Sequence, residues 1–256
     1  MPEFCRAERD GRLLVVTIDR PEVMNAVHPP ANLELASIFD EFCDDPDLWV
    51  AIITGSGDRA FCAGNDLKFQ VGGQRGEMPK SGFGGLTSRI DNTKPVIAAV
   101  NGLAMGGGFE IALACDLIVA AESAIFALPE PRVGLAALAG GMHRLPRQIG
   151  LKQAMGMLLT GRRVSAEEGA RLGFVNEVVP AAEVLDAARR WAEQILECAP
   201  LSVRASKQAA MDGLGLTLEA AMSTSYPAVH SMFKSEDFQE GPRAFVEKRP
   251  PHWKGR

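Results

Sequence analysis

Two glutamates stand out because their surroundings are apolar. In N-G-L-A-M-G-G-G-F-E-I-A-L-A-C-D (101–116), Glu110 is the lone charged side chain between Gly102 and Cys115. In A-I-F-A-L-P-E-P-R-V-G (124–134), Glu130 ends an apolar run between two prolines. A first-turn acid gains about 0.3–1 kcal/mol from a helix dipole, which would account for the charge of Glu110. It does not account for apolar neighbours on every side, where an unpartnered carboxylate is costly. Glu130 has its own plain explanation, a turn acid paired with Arg132. Yet two acids at the edges of apolar elements are what proton transfer on one substrate requires. One gives a proton, the other takes one, and burial lifts a carboxyl pKa toward neutrality.

Three glycines, Gly106, Gly107 and Gly108, lead into Glu110. Glycine runs often cradle phosphate. This one lacks the Lys and Ser/Thr of the G-x-x-x-x-G-K-[ST] loop, and Phe109 and Glu110 spoil the G-x-G-x-x-G pattern. A glutamate would also repel a pyrophosphate. What remains is a strand–glycine–helix junction whose N–H groups lie at a positive helix end. Such groups can hold a developing oxyanion. A second tight segment, A-G-N-D within G-D-R-A-F-C-A-G-N-D-L-K (57–68), could present another N–H beside a strand end. Lys68 follows as a candidate phosphate-binding cation, or as a solvated lysine after a plain turn.

Other chemistries find little support. No G-x-S-x-G elbow is present. Cys62 and Cys115 sit in apolar runs without a nearby histidine and read as core thiols. The histidines, His28, His143, His230 and His252, form no H-x-x-x-H or H-E-x-x-H pattern, so no metal site is expected.

The elements that must position these residues follow from periodicity. Strands are expected at 13–18, 49–54, 95–100, 117–121, 124–128 and 174–179. The run P-V-I-A-A-V (95–100) has the continuous apolar character of a strand buried on both faces. A helix over 32–42 would bury Leu33, Ile38 and Phe39. Residues 68–92 hold six glycines and little periodicity, which predicts a mobile lid or a partly disordered loop. Residues 140–160 give two helical stretches ending at Gly161. S-A-E-E (165–168) reads as a capping box, and its helix stops at Gly173. An amphipathic helix over 181–199 runs through Val184, Ala188, Trp191 and Ile195 and is closed by Pro200. Helices follow near 201–212, 216–233 and 236–248, the middle one broken at Pro227. Strands alternating with helices argue for an α/β fold, with a strand-free tail that caps the domain or packs on another subunit.

The 256 residues, 46% hydrophobic, suit one large domain or a main domain with an appendage. A net charge of −5 without a basic, aromatic-interleaved tract argues against nucleic acid as a partner. No apolar run is long enough for a bilayer, and the polar start is unlike a signal peptide, so no membrane association is expected. Five scattered cysteines without a C-x-x-C pair read as reduced thiols of a cytoplasmic protein.

Six blocks in order resemble the crotonase (enoyl-CoA hydratase/isomerase) family. They are R-P-E-V-M-N-A (20–26), A-F-C-A-G-N-D-L-K (60–68), K-P-V-I-A-A-V-N-G-L-A-M-G-G-G-F-E (94–110), F-A-L-P-E-P-R-V-G (126–134), L-T-G-R-R-V-S-A-E-E-G-A-R-L-G-F-V-N (159–176) and E-G-P-R-A-F-V-E-K-R (240–249). Within that family, the C-terminal tail and G-G-G-F-E-I-A-L-A resemble carnitinyl-CoA dehydratases. The resemblance implies a spiral core of repeated ββα units over 1–199, with the acyl-CoA site. It implies a C-terminal helical oligomerisation region over 200–256 that builds a homotrimer or a hexamer. It assigns the oxyanion hole to the N–H groups of Asn65 and Gly107, and acid–base catalysis to Glu110 and Glu130. Ala63, Asp66, Leu67, Lys68 and Lys248 would bind the substrate and its CoA, Lys248 from a neighbouring subunit. Coenzyme A is then part of the substrate, and no separate cofactor is expected. The implied activity is hydration of an enoyl-CoA thioester, as in β-oxidation of fatty acids. A carnitinyl-CoA dehydratase, a double-bond isomerase or a non-catalytic acyl-CoA or RNA binder on the same fold are the alternatives.

Two positions depart from the hydratase pattern. Leu138 in A-L-A-G-G (137–141) stands where glycine is common, and Asn65 where a small alanine is common. Both bear on the acyl group accepted, and Leu138 on the placement of water.

Overall fold

The computed structural model describes residues 3–72 and 76–256. Strands β1 (Cys5–Asp10) and β2 (Leu13–Ile18) pair antiparallel, and α1 (Pro29–Asp44) follows. From there one motif recurs. β3 (Val50–Gly55) enters a first sheet, β4 (Ala60–Cys62) a second, and α2 (Leu67–Val71) follows. β5 (Val96–Val100) and β6 (Leu103–Met105) do the same before α3 (Gly107–Ala114). β7 (Leu117–Ala121) and β8 (Ile125–Ala127) repeat it before α4 (Gly141–Gln148) and α5 (Leu151–Thr160). β9 (Val164–Ser165), α6 (Ala166–Leu172) and β10 (Glu177–Val179) complete the turns. The first sheet has the order β1-β2-β3-β5-β7-β10, the second β4-β6-β8-β9. The chain is therefore an α/β spiral of ββα turns.

The wiring follows from composition. β3 and β5 are uniformly apolar or small and are buried along their whole length. Such strands need cover on both faces, and parallel neighbours joined by crossovers supply it. The amphipathic helix α7 (Val184–Leu196) covers one face, burying Val184, Ala187, Ala188 and Ala192. Lys94, just before β5, is 4% exposed and locks the sheet to α1. Its ammonium donates to the carbonyls of Phe42 (2.5 Å) and Asp45 (2.6 Å) at the C-terminal end of that helix. A cation there also meets the negative end of the helix dipole. Burial pushes this lysine down to about 8.

The last stretch is helical: α8 (Pro200–Gly213), α9 (Leu218–Ser223), α10 (Pro227–Phe233) and α11 (Glu236–Glu247). Pro227 opens α10 at its first turn, where a missing N–H costs nothing. Lys207 ties α8 to the core, donating to Asp116 (2.8 Å) and to the carbonyl of Lys94 (2.9 Å). Among the described residues, no helix is long and apolar enough to cross a membrane.

Several local expectations change. Leu33 is half exposed, because α1 turns Leu35, Ile38, Phe39 and Phe42 inward instead. Residues 174–176 are not strand, and β10 begins only at Glu177. Pro200 does not close α7, which ends at Leu196; it opens α8. The capping box is half formed. Ser165 accepts from the N–H of Glu168 (3.2 Å), while the Glu168 carboxylate meets Arg162 at 2.7 Å. The expected lid contains a short helix, α2, and a turn over 83–85 buried against α1 and α3. Residues 73–75 of that stretch lie outside the described residues.

Behind α3 lies a cluster of three rings. Phe109 sits 5.2 Å from Phe126 and 5.1 Å from Phe174, centre to centre. The cluster joins α3, the second sheet and the segment after α6, and Phe109 has no exposed surface. Phe109→Ala is therefore expected to lower the unfolding free energy by about 3–5 kcal/mol. Urea or guanidinium unfolding measures it, and a loss well under 1 kcal/mol would mean that the cluster does not anchor α3.

Candidate active site

Three neighbours crowd the glycine run, each from a different element. Gly106 has φ +53°, and a Cβ built on it would lie 3.0 Å from the Glu130 carboxylate. A Cβ on Gly107 would lie 2.5 Å from the Phe83 ring, and one on Gly108 would run into the Cys62 carbonyl of β4. The bare backbone thus admits an acid, an aromatic ring and a strand end at once. Gly106 donates to Ala127 at the end of β8 (2.9 Å), which fixes the start of α3 against the second sheet. The N–H groups of the first turn have no acceptor within the helix itself.

The A-G-N-D loop comes to the same place. Gly64 accepts from Val27 (2.8 Å), and Asp66 donates back to Val27 (3.1 Å). In this parallel bridge, the peptide groups of Asn65 point away from Val27. Gly64 packs so tightly against the glycine run that a Cβ on it would lie 2.6 Å from the Met105 carbonyl and 3.1 Å from the Gly107 nitrogen. The Asn65 and Gly107 peptides are therefore neighbours. Asn25 braces the connection from β3 to β4 that precedes the loop. It is buried, adopts φ +54°, and donates to the carbonyls of Ser56 (2.9 Å) and Ala60 (2.8 Å). Asp66 is engaged in the protein, pairing with Arg20 at 3.2 Å and accepting from the N–H of Phe69. Its geometry is that of a residue that fixes the loop.

Glu110 is 3% exposed. Its carboxylate accepts from the N–H of Gly141 (2.8 Å). Burial pushes its pKa up to about 7, the Gly141 bond opposes this, and repulsion from Glu130 adds to it. Burial raises Glu130 as well. Glu130 does not pair with Arg132, whose Nε donates to the Thr160 carbonyl. One oxygen of Glu130 is buried without a hydrogen-bond partner among the described residues. Such a group has a cost unless a substrate or water meets it.

The structure brings Glu110, Glu130, Gly107 and the Asn65 loop together. Ala63 is half-buried beside them, and Leu67 and Lys68 are exposed on the first turn of α2. Lys248 is elsewhere, at the end of α11 in the left-handed region (φ +54°). Leu138 is 78% exposed, on the turn just before Gly141. Sequence reasoning missed Phe83, the Gly141 N–H and Arg144. The paired glycines 140–141 ahead of a helix were a signal for the second; a lone phenylalanine among glycines was no signal for the first. Among the described residues, no three His, Cys, Asp or Glu side chains gather as a metal set.

A profile described as enoyl-CoA hydratase/isomerase matches residues 8–256. The chain belongs to this family. A carnitinyl-CoA dehydratase of Proteus mirabilis is 45% identical over 255 residues, covering 96% of each chain. The protein of the same description from Salmonella agona is 44% identical over 265 residues, covering all of both. Among solved structures, an enoyl-CoA hydratase from Mycobacterium tuberculosis superposes with a TM-score of 0.94 at 40% identity, covering both chains fully. A carnitinyl-CoA hydratase from Mycobacterium avium, 42% identical, superposes with a TM-score of 0.79 over 99% of each. Membership of the enoyl-CoA hydratase/isomerase family agrees with the ββα spiral.

The pKa of Glu110 carries a stability consequence. A carboxyl whose folded pKa exceeds its unfolded value favours folding in its protonated form. That contribution is complete below the ordinary glutamate value of 4.5 and is lost as pH rises to the folded value of about 7. Glutamine does not titrate. The stability of Glu110→Gln relative to wild type should therefore rise by on the order of 3 kcal/mol between acid and mildly alkaline pH. Denaturant unfolding of both proteins across that range measures it, and a constant difference would mean that Glu110 titrates normally.

Proposed function

We propose that the protein is an enoyl-CoA hydratase that adds water across the α,β double bond of an acyl-CoA thioester. The observation that carries the reading is the Glu110–Glu130 pair, two carboxyls raised by burial beside a bare helix N-terminus. In this reading the thioester carbonyl lies between the N–H groups of Asn65 and Gly107. Negative charge gathers on that oxygen as the enolate forms, and each preorganised donor is worth about 10²–10³ in rate. Glu110, as base, takes a proton from water as the oxygen attacks the β-carbon. Glu130, as acid, delivers a proton to the α-carbon. A buried pair with both pKa values raised, that of Glu110 to about 7, suits proton exchange in both directions. A non-catalytic binder would not need two costly buried acids, and an isomerase would need one base.

Coenzyme A is part of the substrate in this reading, and no further cofactor is required. Ala63 and Leu67 line its path, Asp66 fixes the loop that meets it, and Lys68 attracts its phosphates. Lys248 reaches a phosphate across a subunit boundary. The free thiols suit a cytoplasmic enzyme of acyl-chain metabolism. A carnitinyl-CoA dehydratase is the second reading, favoured by the relatives of that description.

The direct test is incubation with crotonyl-CoA, following water addition by mass. Wild type should hydrate it, and Glu110→Gln and Glu130→Gln should each lose at least about a hundredfold. A folded, CoA-binding wild type that adds no water would reject short-chain hydration and turn the assay to crotonobetainyl-CoA. Exposed Leu218, Met222, Phe245 and Val246 on the last helices make a surface expected to be covered by further copies of the chain. Light scattering should give the mass of a trimer or hexamer, and a monomer would remove Lys248 from the site.

A further inference from the structure

Glu110 lies on α3, but the N–H that it accepts belongs to the Gly140–Gly141 turn, whose backbone bonds are local: His143 and Arg144 donate to the Gly140 carbonyl, and Met142 to that of Ala137. Gly140 precedes that donor with φ +104°, a conformation that glycine adopts and leaves with equal ease. Those bonds hold the turn to α4 and to its own approach, and a side chain ties it to another segment. Arg144 stands one helical turn further on. Its Nη2 donates to the Thr87 carbonyl at 2.9 Å. Its Nη1 lies so close over Gly140 that a Cβ there would run into it. Thr87 belongs to the segment that also lays Phe83 against Gly107, and is itself 5% exposed. One guanidinium thus joins the 82–89 segment, the Gly140–Gly141 turn and the start of α4.

We propose that Arg144 is a positioning residue for Glu110: it clamps the Gly140–Gly141 turn against the Thr87 carbonyl and so holds the Gly141 N–H on the Glu110 carboxylate. The proposal rests on the reading of Glu110 as the base. A planar fork is required, because one nitrogen must reach Thr87 while the other lies against Gly140. A lysine has the charge without the fork.

The groups that face Glu110 can be named. Glu130 approaches from the turn after β8 and disfavours its charge; the Gly141 and Ala139 N–H groups and Arg144 favour it. Cys115, at the end of α3, faces Arg144. The 82–89 segment contributes Phe83 and Thr87, neither charged at neutral pH. Losing Arg144 removes a positive charge and frees the turn that carries one N–H. Both changes favour the protonated acid, so the Glu110 midpoint should rise.

The test is carbon-13 NMR of protein labelled at the glutamate carboxyls, with the Glu110 signal assigned by its absence in Glu110→Gln. In Arg144→Met the midpoint should move up by about one unit, and in Arg144→Lys, which keeps the charge, by about half of that. Hydration near neutral pH should fall about tenfold in Arg144→Met, in kcat more than in KM, and recover as pH is raised. An unchanged midpoint in either folded variant overturns the clamp, and Arg144→Lys decides where Arg144→Met does not fold. A wild type that hydrates no enoyl-CoA would defeat the functional reading, while the titration would still decide the clamp.

Discussion

Close approach across a backbone without side chains is the constraint on which the other features depend. An oxyanion site needs N–H groups that nothing covers, and an acid–base pair needs two carboxyls a few ångströms from it. Any Cβ at Gly106 would press on the Glu130 carboxylate; any at Gly107 would meet Phe83; any at Gly108 would meet Cys62. The glycines are thus fixed by three packing demands. Glycine in a helix costs about 1 kcal/mol against alanine. The cost is offset by the neighbours that the bare turn lets in.

The ββα wiring makes this approach reproducible. Each turn of the spiral sends one strand into the first sheet and the next into the second, so successive strand ends stack along one edge. β4 ends at the Asn65 loop, β6 at the glycine run, and β8 at the turn that carries Glu130. Three consecutive turns of the chain therefore deliver the loop, the helix start and the second acid to one place. The ties between them are backbone bonds, such as that from Gly106 to Ala127. Backbone bonds hold position more firmly than contacts between long side chains, because few rotamers are lost in making them.

Much of this was legible in the sequence because it is written in local signals. Strand runs such as V-I-A-A-V, the glycine triplet and two lone acids in apolar company are visible within a window of ten residues. The family blocks then supplied their order. What was not legible lies between segments far apart in sequence. Phe83 reaches Gly107 and Arg144 reaches Thr87, and neither pairing leaves a periodicity or a motif. The 68–92 stretch illustrates the difficulty. Its glycines read as freedom, yet Gly84 donates to the Asn32 side chain at 2.7 Å and Gly85 packs on the backbone of α1. Glycine marks close contact as readily as it marks flexibility. Leu33 failed for another reason: the apolar stripe of α1 is wider than the face that the 83–85 turn and β1 cover.

The electrostatics of the site add a last step. A protein selected only for stability would not bury Glu110, because a neutral amide of the same shape would avoid its desolvation. Nor would it leave a Glu130 oxygen buried without a partner among the described residues. Both features oppose folding at neutral pH and both sit against the glycine turn. The strain is tolerable because the surroundings are rigid. Asn25 braces the start of β4, the Phe109–Phe126–Phe174 rings back the helix, and Lys94 ties the sheet to α1. A softer frame would let the carboxylates turn outward to water, and the pKa values that burial has raised would fall. Rigidity at a distance and discomfort at the centre are in this sense one property, and the first is needed for the second to persist.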